Sequence, residues 1–117
     1  MDKIKIGTVL TAGQFFDYLI ILSDEGRGIR DWQGQLDFSE IEDIAYRAKK
    51  WELKKITLKA FDWVADPDYP NLSQKFKVSP IALCYGSGEY EILDGKHRVG
   101  MAKAAKKDEM VMWVGEL

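Results

Sequence analysis

The strongest constraint on the fold lies near the end of the chain, where two short apolar stretches flank a glycine-rich turn. The stretches are residues 81–85 and 90–93, and Gly86-Ser87-Gly88 lies between them. Apolar runs of this length joined by such a turn predict a β-hairpin. Asp94 and Gly95 then break the second strand. The hairpin therefore leads directly into a turn and a further element.

That further element is predicted to be a helix followed by a closing strand. Residues 96–106 are rich in alanine and place Val99 and Ala102 at helical spacing. Lysines at the end of this segment match the negative end of the helix dipole. Residues 110–114 are apolar and predict the closing strand.

The first half of the chain predicts two helices. Residues 3–10 alternate and indicate a short strand or an extended entry segment. Thr11 can cap a helix with one broad apolar face, formed by Phe15, Phe16, Leu19, Ile20 and Leu22. Residues 23–37 contain three glycines and predict a loop or flap. A second helix should follow, with apolar positions at Ile41, Ile44, Ala45, Ala48 and Trp51.

The cap of the second helix is Asp37 or Ser39, and Ser39 with Glu42 fits a capping box.

After the second helix, residues 55–64 alternate with a period of two, which predicts a strand. Residues 65–72 contain two prolines and two aspartates and predict a turn, and residues 73–77 a short helical turn. The fold class is thus α+β, a small mixed β-sheet covered by helices.

Composition limits the class of protein. A chain of 117 residues suits a single small domain, and a formal charge of -2 does not favour nucleic acid as a partner. The single cysteine, Cys84, lies in an apolar run and is predicted to be a buried, inert thiol. No apolar stretch is long enough for a membrane span or a secretory signal. We therefore expect a cytoplasmic location and no membrane partner.

The residues best suited to bind a ligand or take part in catalysis lie at the predicted start of the last helix: Asp94-Gly95-Lys96-His97-Arg98. Backbone N–H groups at a helix start bind anions, and lysine and arginine side chains bind phosphate oxygens. Asp94 could cap the turn or hold a metal ion. His97 is the only histidine in the chain and the natural candidate for proton transfer near neutral pH. The alternative is that His97 and Arg98 anchor the turn to neighbouring carbonyl or carboxylate groups.

Residues 78–116 resemble the ParB/sulfiredoxin superfamily. That family has a Pro-Ile strand, a hairpin, a strand ending in Asp-Gly-x-His-Arg or Gly-Glu-Arg-Arg, an alanine-rich helix and a final strand. Gly95, Arg98 and Ala102 match its glycine, arginine and alanine. With the Asp-Pro loop upstream, the likeness covers about residues 55–117, and residues 1–54 would be a helical N-terminal elaboration. The resemblance implies nucleotide phosphate binding at the glycine-to-arginine turn.

Departures from the family pattern narrow the implied activity. Sulfiredoxins carry their catalytic cysteine where this chain has Lys96, so reduction of sulfinic acids is disfavoured. Partition proteins carry a helix-turn-helix domain after this unit, whereas this sequence ends at Leu117, so chromosome segregation is also disfavoured. Gly-Lys-His-Arg replaces Gly-Glu-Arg-Arg, which weakens the expectation of CTP selectivity. Phosphoryl transfer or nuclease-like phosphodiester cleavage, with Mg²⁺ and a nucleoside phosphate, fits best.

Other candidate groups have plainer explanations. Four scattered tryptophans could stack on bases but are more typical of core or rim packing: Trp32, Trp51, Trp63 and Trp113. Asp62, Asp66 and Asp68 could bind a cation, yet they fit turn chemistry better. A solvated face is the prediction for the cluster of Lys49, Lys50, Lys54 and Lys55. A flap that could close on a phosphate is the prediction for the loop that contains Arg27 and Arg30.

Two functions remain open at this point. The first is a protein that binds a nucleotide or another phosphate compound at residues 94–98, with His97 and Arg98 as catalytic residues if it is an enzyme. The second is a non-catalytic interaction protein of phage or plasmid type, in which the N-terminal half binds a protein partner.

Overall fold

The computed structural model describes residues 4–25, 29–31, 34–61 and 78–117. The helices in these ranges are α1 (Ala12–Asp24), α2 (Phe38–Ala45) and α3 (Lys96–Ala104). The strands are β1 (Val9–Thr11), β2 (Arg30–Asp31), β3 (Gly34–Gln35), β4 (Lys50–Thr57), β5 (Ile81–Cys84), β6 (Tyr90–Asp94) and β7 (Glu109–Glu116). The protein has an α+β fold, as predicted. Within the described ranges, none of the helices is long and apolar enough to cross a membrane.

Five strands form one mixed sheet in the order β1-β4-β7-β5-β6. All neighbours are antiparallel except β5 and β7, which run parallel. Strands β2 and β3 form a separate two-stranded sheet. The predicted hairpin, last helix and closing strand are confirmed as β5–β6, α3 and β7. Strand β1 from the first half of the chain completes one edge of the same sheet.

The hydrophobic core lies on both faces of the five-stranded sheet. Successive side chains of a strand point to opposite faces, and on β7 Trp113 belongs to one hydrophobic cluster while Met112 and Val114 belong to the other. Helices α1 and α2 cover the Trp113 face, and α3 covers the opposite face through Val99 and Ala102. The sheet is therefore buried between two helical layers.

Both N-terminal helices begin at capping boxes. The Thr11 hydroxyl accepts from the Gln14 N–H at 3.2 Å, and the Gln14 side chain accepts from the Thr11 N–H at 2.9 Å. This confirms Thr11 as the cap of α1. On α2 the box is formed by Asp37 and Glu40. The expected box of Ser39 with Glu42 is wrong, because Ser39 lies inside the helix and donates to the Asp37 carboxylate at 3.0 Å.

The second helix ends earlier than its apolar spacing predicts. It stops at Ala45, and Trp51 lies in β4, which starts at Lys50. Trp51 and Leu53 alternate with polar neighbours, and β4 pairs with β7 along seven positions. The indole N–H of Trp51 donates to the Ala45 carbonyl at 2.8 Å. Trp51 therefore packs against the end of the helix without being part of it, which explains the misleading spacing.

Three other boundaries differ from expectation. The first strand is Val9–Thr11 and follows a turn at Gly7. The strand predicted at residues 55–64 instead runs from Lys50 to Thr57 and is followed by a 3₁₀ turn, Leu58–Ala60. The segment predicted as a loop at residues 23–37 includes β2 and β3 beside Ile29, which packs in the core. The turns predicted at residues 65–72 and 73–77 lie outside the described residues.

Candidate functional site

The candidate site is the corner at which β6 ends and α3 begins, formed by residues 94–98. Gly95 joins them with φ of +90°, a left-handed conformation that glycine adopts without steric cost. A Cβ atom at this position would lie 2.8 Å from the Pro80 Cβ and 3.1 Å from the Pro80 Cα. Glycine is therefore required twice, for its backbone conformation and for its close approach to Pro80.

Arg98 turns back across this corner. Its Nη1 donates to the Val78 carbonyl at 2.6 Å, and its Nη2 pairs with the Asp94 carboxylate at 3.2 Å. The side chains of Arg98 and Asp94 are only 15% and 14% exposed. These are the carbonyl and carboxylate contacts expected if Arg98 anchors the turn. Arg98 thus ties α3 to the end of β6 and to the segment before β5.

Partial burial shapes the electrostatics of this pair. Removal from water raises the pKa of the Asp94 carboxyl, although the Arg98 charge and the Gly95 N–H act in the opposite direction. Burial likewise lowers the pKa of the Arg98 guanidinium, and Asp94 opposes that shift. Both directions show that desolvation outweighs the mutual attraction. Each charge therefore depends on the other to be tolerated in the fold.

The start of α3 beside the pair has no side-chain cap. The first hydrogen bond of the helix runs from the Val99 N–H to the Gly95 carbonyl at 3.1 Å. Backbone N–H groups of Lys96, His97 and Arg98 therefore precede the first intrahelical bond, and Gly95 supplies no side-chain cap. The Lys96 side chain is exposed. His97 is the second residue of α3, and its imidazole lies outside the described part of the molecule.

The sequence did not indicate that residues 78–80 form one wall of this corner. Val78 is 2% exposed and offers its carbonyl to Arg98, and the Pro80 carbonyl accepts from the Trp113 N–H at 2.8 Å. Backbone carbonyls carry no signature in a sequence. The Pro80-Ile81 pair of the family pattern was the only available signal for this position.

Asp94 fits a metal ion poorly. Its carboxylate is mostly buried and is engaged by Arg98 and by the Gly95 N–H. Among the described residues, no group of three or more histidine, cysteine, aspartate or glutamate side chains is placed to hold a metal ion. Asp62, Asp66 and Asp68 lie outside the described residues, as do Arg27, Trp32 and Trp63.

The remaining candidates have structural roles or lie at the surface. Trp51 and Trp113 are buried in the core, which confirms packing over base stacking for these two. Lys49, Lys50 and Lys55 are exposed, as predicted for a solvated face. Cys84 ends β5 next to the hairpin turn and packs against the core, but it is only half-buried, so its burial is less complete than predicted.

Comparisons of this chain with protein-family models, with curated proteins and with solved structures gave no match. The ParB/sulfiredoxin resemblance therefore stays a prediction from the motif at residues 94–98 and from the pattern around it.

Proposed function

We propose that this protein binds a nucleoside phosphate or another phosphate compound at the start of α3. The observation that supports the proposal most is the join between β6 and α3. A glycine with φ of +90° begins the helix without a side-chain cap, and an exposed lysine follows it at once. Helix N-termini of this kind attract anions through their N–H groups and their dipole. The resemblance of the same residues to the ParB/sulfiredoxin motif agrees with this proposal.

In this proposal the residues of the corner have separate roles. The N–H groups of Lys96, His97 and Arg98 and the Lys96 ammonium group contact phosphate oxygens. The Arg98 side chain holds the corner in shape through the Val78 carbonyl and Asp94. If the site is catalytic, His97 is the proton donor, and the reaction is phosphoryl transfer or phosphodiester cleavage. Any Mg²⁺ ion would arrive with the nucleotide. The proposed location is the cytoplasm, because a lone free thiol suits a reducing compartment.

Lysine 96 provides the sharpest test of phosphate binding. Thermal unfolding should be measured with ATP, ADP, CTP, GTP or inorganic phosphate, each with and without Mg²⁺. A ligand at about one hundred times its dissociation constant stabilises the fold by about 2.7 kcal/mol, which raises Tm by several degrees. Lys96→Ala should weaken binding by about tenfold, because it removes a charge-assisted contact. The variant should unfold like the wild type without ligand, since Lys96 is exposed.

Lys107→Ala is the matched control for this experiment. Lys107 is an exposed lysine beyond the other end of α3, so its loss changes the net charge equally without touching the corner. The proposal is wrong if no phosphate compound raises Tm, or if both lysine variants weaken binding to the same extent. Arg98→Ala is a poor test of binding, because Arg98 also holds the corner together.

A second candidate function is a non-catalytic interaction protein that binds a protein partner through its N-terminal half. One observation favours it: Phe38 and Tyr46 are 61% and 57% exposed, and both contact Phe16 of α1. Clustered exposed aromatic side chains are typical of protein interfaces. This function concerns the face of α1 and α2, on the opposite side of the sheet from α3. The two functions can therefore be tested separately.

A further inference from the structure

Three aromatic side chains form a surface cluster where α1 packs beside α2. Phe16 on α1 meets Phe38 edge to face, with ring centroids 4.9 Å apart, and lies 6.2 Å from the Tyr46 ring. Phe16 is half-buried, whereas most of Phe38 and Tyr46 faces solvent. We call Phe16, Phe38 and Tyr46 the aromatic patch. Its rings are already ordered against one another, so little side-chain freedom remains to be lost when a partner covers them.

The surroundings of the aromatic patch are acidic. Neither α1 nor α2 contains a lysine or an arginine, and both helices carry exposed carboxylates: Asp17, Asp24, Glu40, Glu42 and Asp43. None of these five forms an ion pair with another residue of the described ranges. The nearest basic residues in the chain follow the second helix: Arg47, Lys49 and Lys50, all exposed. The two helices themselves therefore present negative charge that no ion pair neutralises within the described ranges.

Glu42 places part of this charge within the patch. It lies four residues after Phe38 and four before Tyr46, so the three side chains share one helical face. The Tyr46 N–H donates to the Glu42 carbonyl at 3.0 Å, which shows that helical spacing continues through this segment. An occupant of the patch would therefore meet aromatic rings and a carboxylate together.

We infer that the aromatic patch binds a basic amphipathic segment of a partner protein, one with apolar side chains on one face and lysine or arginine beside them. This inference rests on the second candidate function and is independent of the phosphate site. Apolar side chains of the segment would cover Phe38 and Tyr46, and its cations would meet Glu42 and Asp17. Amphipathic helices bind apolar surfaces in this way, and charge complementarity selects the partner.

Charge also argues against other occupants. Nucleic acids and anionic membranes carry phosphate groups that the carboxylates of α1 and α2 would repel. A two-fold dimer through the same patch would place each acidic surface against its own copy, because such interfaces are self-complementary. A basic protein segment satisfies both the aromatic and the charged features of the surface.

Synthetic peptides of about 18 residues, long enough to form a helix on a surface, provide the test. One peptide carries leucine on one face and lysine on the other, and two others replace every lysine by glutamine or by glutamate. The lysine peptide should bind the full chain at least about tenfold more tightly than the glutamine peptide, and binding should weaken with salt. The glutamate peptide should not bind. Calorimetric titration measures all three.

Matched variants locate the binding surface. Phe38→Ala should weaken binding of the lysine peptide by about tenfold, and Glu42→Gln by about threefold. Leu117→Ala and Glu109→Gln are the controls, because Leu117 is 59% exposed and Glu109 is an exposed carboxylate at the start of β7. Both controls should bind like the wild type. All four variants should fold normally, since each changes an exposed side chain.

Each other result overturns a defined part of the inference. Equal binding by Phe38→Ala and Leu117→Ala would show that the patch is not the binding surface. Equal binding of the lysine and glutamine peptides would overturn the basic partner while leaving the second candidate function in place. No binding by any peptide would overturn the basic amphipathic segment as the occupant of the patch. Self-association of the chain that Phe38→Ala abolishes, measured by light scattering, would identify a second copy as the occupant instead.

Discussion

Replacing Arg98 with methionine is expected to destabilise the fold by about 2 to 4 kcal/mol, because it removes one partner of a mostly buried ion pair. Methionine keeps the aliphatic part of the side chain, so the loss reports on the guanidinium. The Val78 carbonyl would lose its 2.6 Å donor, and the Asp94 carboxylate would lose its counter-charge. Urea unfolding at neutral pH measures the change.

The effect of Arg98→Met should depend on pH in a defined direction. Burial raises the pKa of Asp94 in the folded protein above its ordinary value of 3.8, and the Arg98 charge limits that rise. The folded state thus binds this proton more tightly than the unfolded state. The contribution of Asp94 to stability is fully present below 3.8 and is lost as pH rises through the folded pKa. Without Arg98 the folded pKa rises further, so the variant should be penalised more at about pH 7 than at about pH 4.

Two comparisons isolate the role of the ion pair. Lys96→Met removes an exposed charge from the same helical turn and should change stability by no more than about 0.5 kcal/mol. Asp94→Asn combined with Arg98→Met removes both charges and should recover part of the loss, because no uncompensated charge remains buried. If Arg98→Met costs no more than Lys96→Met, Arg98 does not anchor the corner.

The sequence predicts the second half of this fold better than the first. The hairpin, α3 and β7 follow from local signals: a glycine-rich turn, alternating apolar runs and a glycine at the helix start. In the first half, Trp51 follows the apolar spacing of α2 but belongs to β4. Its place is decided by pairing with β7, whose residues lie about sixty positions later in the chain. Local periodicity contains no information about such a partner.

In the candidate site, too, local features could be predicted from the sequence and contacts with distant residues could not. Residues 94–98 could be selected from their order alone, because each residue type has a known use at a helix start. The choice between binding phosphate and anchoring the turn could not be made for Arg98, because the deciding acceptor is a main-chain carbonyl twenty residues away. The aromatic patch could not be predicted from the sequence either. Phe38 and Tyr46 are not among the apolar positions predicted for the second helix, and only the three-dimensional structure shows both rings exposed beside Phe16.

Gly95 can be tested against a glycine that shares its backbone conformation but not its surroundings. Gly88, in the turn between β5 and β6, also has φ of +90°, yet a Cβ there would meet no atom within 4 Å. Gly88→Ala should therefore cost about 1 to 2 kcal/mol, the strain of placing alanine in a left-handed conformation. This variant measures the conformational cost alone.

Gly95→Ala should cost about 3 to 5 kcal/mol, because overpacking adds to the same strain. Its Cβ would lie 2.8 Å from the Pro80 Cβ, and the Pro80 carbonyl is bonded to the Trp113 N–H, so neither side can move freely. The free energies of unfolding of both variants, from urea titrations, give the packing cost as their difference. Equal losses would show that α3 can shift away from Pro80 without cost. A larger loss at Gly95 means that the helix start is held in one position, the condition for its N–H groups to form a fixed anion site.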